Sequence, residues 1–190
     1  MSSTHIRFTH VLSSLVLAGV LPACGGGGDD GPVPDASLGR TSSVDAAENG
    51  CGIPDFANQM LAEVNRVRAQ GQQCGANWHA PVAPLSWNAA LADAAASHSA
   101  DMATHNFVSH TGSSGSSVAD RARGHGYASG GVGENLAGGH QNIGHMMQGV
   151  LASPAHCANL LRPSYVSFGA ACVSNSATVY KRHWAQVFGE

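Results

Sequence analysis

The run Ala95 to Gly112, AASHSADMATHNFVSHTG, constrains the chain most, because it begins as a helix and ends at a histidine the helix cannot bury. Leu91, Ala95, His98 and Met102 recur at helical spacing on one face, and Asn88 stands where an N-cap is expected. The periodicity fades at Asn106. Phe107-Val108-Ser109 then carries the chain to His110 and a Gly/Ser-rich loop. A long helix that delivers a histidine to the lip of a loop is expected to form one wall of a site.

Two later segments carry groups that can meet that histidine. Gly133-Glu134-Asn135-Leu136-Ala137 sets a carboxylate and an amide among glycines, and reads as a glycine turn. Ser153-Pro154-Ala155-His156-Cys157-Ala158-Asn159 places a second histidine just after a helix stop.

The order of elements along the chain indicates the fold class. Pro54–Gln70 reads as a first helix, with Phe56, Met60, Val64 and Val67 as its apolar stripe and Gly71 as its stop. Gln72 to Pro84 reads as a loop carrying Cys74, and Trp87 reads as a core residue. Ser117 to Arg123 is a short helix in which Ser117 and Asp120 are spaced as a capping pair. Asn142 to Leu151 is another, with Ile143, Met146, Met147 and Val150 inward, and Ala155 to Leu161 turns helical again after Pro154. From Val166 to Cys172 and from Thr178 to Phe188 the pattern alternates as in strands, with a turn at Asn175-Ser176-Ala177. Helices first and antiparallel strands last imply an α+β domain.

The N-terminus is organised differently. Val11 to Leu21 is an apolar run too short to span a bilayer as a helix, preceded by His5, Arg7 and His10. It ends in Leu21-Pro22-Ala23-Cys24, which resembles a bacterial lipoprotein cleavage box with Cys24 as the lipidated residue. Ordinary secretion with cleavage after Ala23 is the alternative. The organisation expected is a signal peptide over 1–23, a flexible Gly/Asp/Ser-rich linker over 24–50 and one folded domain over 51–190. Export implies an oxidising compartment, so the cysteines other than Cys24 should pair. Local order favours Cys51–Cys74 and Cys157–Cys172, although sequence alone does not fix the connectivity. The chain is expected outside the cytoplasm, as an outer-membrane or cell-surface lipoprotein held through Cys24, or otherwise as a periplasmic or extracellular protein. With 12 acidic against 9 scattered basic residues there is no nucleic-acid footprint, and a monomer is expected.

The motifs HSxDM at His98–Met102, N-F-x-S-H at Asn106–His110, G-E-N-L-A at 133–137, S-P-x-H-x-x-N at 153–159 and W-x-Q-x-F-G at 184–189 occur in that order. Together they resemble the CAP superfamily (cysteine-rich secretory proteins, antigen 5, pathogenesis-related 1), in its bacterial SCP-like branch, over about residues 51–190. The resemblance implies a three-layer α-β-α sandwich with a C-terminal antiparallel hairpin. It also implies that His110, Glu134 and His156 line the family's cleft. Where animal members often carry a second glutamate, three residues before the second histidine, Ser153 stands here.

Two imidazoles and a carboxylate are a physically sound ligand set for Zn²⁺ with an open position, and also for acid–base chemistry. They can equally form a hydrogen-bonded cluster that orders three segments. No cofactor is required on this reading, and any Zn²⁺ or other divalent cation would be weakly held. Ser153 is a cleft candidate but a poor nucleophile beside a proline. His98 reads as a core histidine, and Asp101 with His105 as a surface pair.

Three functions follow. The first is a lipid-anchored binding or interaction module of the cell envelope, with a small lipid or an envelope component as its partner. The second is a metal-assisted hydrolase using His110, Glu134 and His156. The third is a structural envelope domain with an inert cleft. No partnered nucleophile is legible, which weighs against an enzyme.

Overall fold

The computed structural model describes residues 49–128 and 130–190. The signal peptide, Cys24 and nearly all of the linker lie outside the described residues. Five helices are present among the described residues, α1 (Phe56–Gln70), α2 (Ala89–His105), α3 (Val118–Gly124), α4 (Ile143–Ala152) and α5 (Pro154–Leu160). The strands are β1 (Gln72–Cys74), β2 (Asn77–His79), β3 (Ser86–Trp87), β4 (Val132–Gly138), β5 (Ser167–Ser174) and β6 (Arg182–Gly189). β1 and β2 form a small antiparallel hairpin. The other four strands form one sheet in the order β3-β5-β6-β4, parallel only between β3 and β5.

This sheet is the middle of three layers. On one face Phe168, Ala170, Cys172, Trp184 and Phe188 pack with Met60 and Val64 of α1, Met146, Met147 and Val150 of α4, and Cys157 and Leu160 of α5. On the other face Ala171, Ala185 and Val187 meet Leu91, Ala95 and Met102 of α2, with Ala122 of α3. β5 and β6 are therefore buried on both faces, and the polar residues His183 and Gln186 of β6 are fully buried with the apolar ones. The α2 helix lies so close to the sheet that a Cβ on Gly169 would sit 2.1 Å from the Ala92 backbone nitrogen. Only glycine fits there.

Local chemistry sets the helix boundaries. The side chains of Asn88 and Asn142 accept from the backbone N–H of Leu91 and His145 at the starts of α2 and α4. Ser117 and Asp120 close a full capping box on α3. The α2 helix stops at Asn106, whose left-handed backbone (φ 56°) turns the chain out of the helix. Arg68, fully buried on α1, donates to the carbonyls of Ala83, Leu160, Arg162 and Tyr165. It thereby gathers the C-terminal end of α5 and the loops around it, and burial pulls its pKa below that of a free guanidinium.

Two expectations are corrected. The segment around Glu134 is no glycine turn but the edge strand β4, paired with β6 from Val132↔Gly189 to Gly138↔His183. Its glycines serve packing: a Cβ on Gly133 would lie 2.0 Å from the Tyr165 hydroxyl, and one on Gly138 would meet the Tyr180 ring. The disulfides also differ from the expected Cys51–Cys74 and Cys157–Cys172. They are Cys51–Cys172 and Cys74–Cys157. Local order misleads because the segment before α1 runs beside β5, with Cys51 N–H donating to Cys172 O and Cys172 N–H to Asn49 O. That brings Cys51 to Cys172, while β1 packs on α5 and brings Cys74 to Cys157.

The bridges span 121 and 83 residues. In the loop-entropy account each removes about 4–5 kcal/mol of denatured-state freedom. Cys172→Ala should therefore leave Cys51 as the thiol that titrates after denaturation, with Cys74 and Cys157 still bonded. Unfolding free energy should fall by about 2–5 kcal/mol. A free Cys157 in that variant would restore the local pairing.

Candidate functional site

The site forms where the α2–α3 loop, strand β4 and helix α5 meet. The first of these is pinned to α2. His98, buried on that helix, has Nε2 2.8 Å from the Ser109 carbonyl oxygen, so Nε2 carries the donated proton. Asp101, one turn further on, accepts from the Ser113 amide at 2.8 Å and from its hydroxyl, and pairs with His105 at 2.8 Å. Asp101 with His105 is thus a surface pair as expected, and it also latches the loop that follows His110. Partial burial pushes the Asp101 pKa up, but the hydrogen bonds from Ser113 and His105 outweigh it and hold the carboxyl below its ordinary range.

Glu134 projects from β4 into this loop, and its side chain is only 1% exposed. A carboxylate buried to that degree requires partners. Oε1 accepts from Arg121 Nη2 at 2.9 Å, and Oε2 accepts from His110 Nδ1 at 3.0 Å. His98 Nε2 is 4.0 Å from Oε2. Arg121, on α3, also donates to the His110 and Ser116 carbonyls. One guanidinium therefore neutralises the carboxylate and fixes the backbone on which His110 stands. In the neutral ring, Nδ1–H given to Glu134 leaves the lone pair on Nε2, on a side chain that is 62% exposed.

His156 arrives from α5, and a chain of amides holds that helix to β4. Asn135 Nδ2 donates to the His156 carbonyl at 3.1 Å. Asn159 Nδ2 donates to Asn135 Oδ1 at 2.9 Å and to the Glu134 carbonyl at 3.2 Å, and the Tyr165 hydroxyl donates to Asn159 Oδ1 at 3.0 Å. Burial lowers the His156 pKa, and proximity to His110 lowers it further. His156 thus stays neutral to a lower pH than a free imidazole.

Ser153 is the N-cap of α5, its hydroxyl accepting from the His156 amide. Among the described residues, Ser153 Oγ bonds to no imidazole. Both Glu134 oxygens are already engaged, so the expected three-ligand set of His110, Glu134 and His156 does not fit a metal as it stands. Among the described residues no group of three or more His, Cys, Asp or Glu side chains is arranged to hold one.

The motifs single out His110, Glu134 and His156 but not Arg121, which is 8% exposed. No motif marks it. The one available signal was arithmetic, because a carboxylate destined for burial must recruit one of only 9 basic residues. Asn159 stood within its motif, but its bonds to β4 were not legible there.

The three-layer fold is that of the CAP (cysteine-rich secretory protein) family. The family model matches residues 61–188, and the chain belongs to it. Among solved structures, an extracellular protein containing a SCP domain from Bacillus anthracis str. Ames is similar, at 27% identity and a TM-score of 0.58. That likeness covers 70% of this chain and 40% of the Bacillus one, so the chain spans well under half of that protein. An outer surface protein from Borrelia burgdorferi shares the fold, at 16% identity and a TM-score of 0.59, covering 70% of this chain and 90% of its own. No curated protein matches the chain significantly.

Removing Arg121 should expose how much the site depends on it. Arg121→Met leaves the Glu134 charge buried with a single imidazole, and should lower unfolding free energy by about 3–5 kcal/mol in denaturant titration. Adding Glu134→Gln should recover part of that loss. A double variant as unstable as the sum of the singles would show the two residues to be uncoupled.

Proposed function

We propose that the chain is an exported binding module of the cell envelope, held to a membrane through a lipid on Cys24. Its cleft, between His110 and His156, takes a small lipid or an envelope component. The observation that supports this most is the state of Glu134. Its carboxylate is sealed, neutralised by Arg121 and spent on orienting His110, as suits a recognition surface better than a reaction centre. The Ser153 hydroxyl serves as a helix cap, so it makes no partnered nucleophile in the cleft. The location draws support from the Bacillus relative, described as extracellular, and from the leader-like N-terminus.

The second reading, a metal-assisted hydrolase, draws on the two imidazoles alone, since Glu134 does not fit as a third ligand. On the binding reading, Zn²⁺ is weak and exchangeable at this pair. Its affinity falls as imidazole takes up protons, which for a free histidine happens below about pH 6.5.

One set of variants separates the readings. Wild type, His110→Ala and His156→Ala are assayed on a chromogenic ester and peptide panel with and without added Zn²⁺, alongside membrane fractionation of Cys24→Ser. The expected result is no turnover above the two histidine variants, with Cys24→Ser released to the soluble fraction. Zinc-dependent hydrolysis lost in both histidine variants would overturn the binding reading. Membrane association that survives Cys24→Ser would remove the anchor.

A further inference from the structure

The β1–β2 hairpin carries the other unusual surface. Trp78 is 62% exposed, whereas Trp184 is fully buried and Trp87 packs edge-on against Phe168. An indole left in water forgoes the burial that makes tryptophan favourable in a fold. Its mount is nevertheless rigid. Gln73 and Trp78 are cross-strand partners, and Cys74 on the opposite face is bonded to Cys157 of α5. The turn glycine, Gly75, sits against the Pro154 ring, which a Cβ would approach to 3.0 Å. A two-stranded hairpin is marginal alone, and here the disulfide fixes it to the domain.

The surroundings of the indole narrow what it can meet. From Gly71 to Pro84 the sequence GQQCGANWHAPVAP holds no Asp, Glu, Lys or Arg. Gln73 is exposed on the same face as Trp78, and Ala76 and Asn77 are exposed at the turn. The Gln73 amide gives one N–H to Gly75 O, while its carbonyl oxygen makes no hydrogen bond among the described residues. The hairpin therefore offers one flat apolar ring beside an amide that both donates and accepts without charge. A nucleic acid or an anionic membrane would call for lysines or arginines beside the ring, and the hairpin has none. A protein partner would call for a wider apolar patch, but the other large exposed apolar residues among the described ones, Val166, Val179 and Tyr180, lie outside the hairpin.

We infer that Trp78 and Gln73 form a binding platform for a neutral glycan of β-linked pyranose units. The apolar face of one sugar ring stacks on the indole, and its hydroxyls or acetamido group bond to the Gln73 amide. This platform does not depend on the His110–His156 cleft.

The test uses the full chain, with cellohexaose and chitohexaose as separate probes and intrinsic fluorescence as the readout. Trp78 is the largely solvated indole, so stacking should shift emission to the blue in a saturable way. Trp78→Ala should abolish the response, and Gln73→Ala should weaken binding by about tenfold. His110→Ala should leave it unchanged, which separates this platform from the cleft. Because both hairpin side chains are exposed, circular dichroism should match wild type. Should Trp78→Ala lose its fold, ligand-detected NMR of wild type against Gln73→Ala decides instead. Absence of saturable binding with both glycans overturns the platform, as does binding that survives Trp78→Ala or disappears in His110→Ala. A blue shift produced by phosphatidylethanolamine–phosphatidylglycerol vesicles but by neither glycan would mark Trp78 as a membrane contact instead.

Discussion

A single buried carboxylate sets the terms for the site. Glu134 lies on an edge strand, nearly sealed from water, and an uncompensated charge there would cost several kcal/mol. Compensation comes from two directions, the Arg121 guanidinium from α3 and the His110 imidazole from the loop before it. Because Arg121 also donates to the carbonyl of His110, a shift of the loop would break a bond to each member of the charge pair. The same bonds that stabilise the carboxylate therefore determine which nitrogen of His110 is left free. Folding energy and site chemistry are here one set of contacts.

The opposite wall is held by amides, a guanidinium and a disulfide. The amides of Asn135 and Asn159 tie α5 to β4 from inside, and Arg68 grips the carbonyls at the far end of α5. The Cys74–Cys157 bridge fastens the same helix to the hairpin. A helix of only two turns has little stability of its own. Three separate fastenings on α5 explain how so short an element can present His156 at a fixed place.

Much of this arrangement was legible in the sequence, for identifiable reasons. The helices announce themselves by apolar spacing and by caps such as Asn88, Ser117 and Asn142, which are local signals. His110, Glu134 and His156 stand within ordered motifs. What stayed hidden depends on contacts between distant segments. Strand β4 was obscured because its glycines make room for Tyr165 and Tyr180, residues far along the chain. The disulfide partners were misjudged because proximity in sequence stood in for a register between the segment at Asn49–Cys51 and β5. Arg121 and Arg68 carry no motif; each is recognisable only once the groups it compensates are seen to be buried.

Glu134 and Arg121 hold the neutral His110 ring in one tautomer, with Nε2 free. Nitrogen-15 NMR of the histidine rings in the neutral state measures this directly. A protonated Nδ1 and an unprotonated Nε2 are expected for His110, with that preference lost in Glu134→Gln. A His110 that carries its proton on Nε2, or a tautomer indifferent to Glu134→Gln, would contradict it.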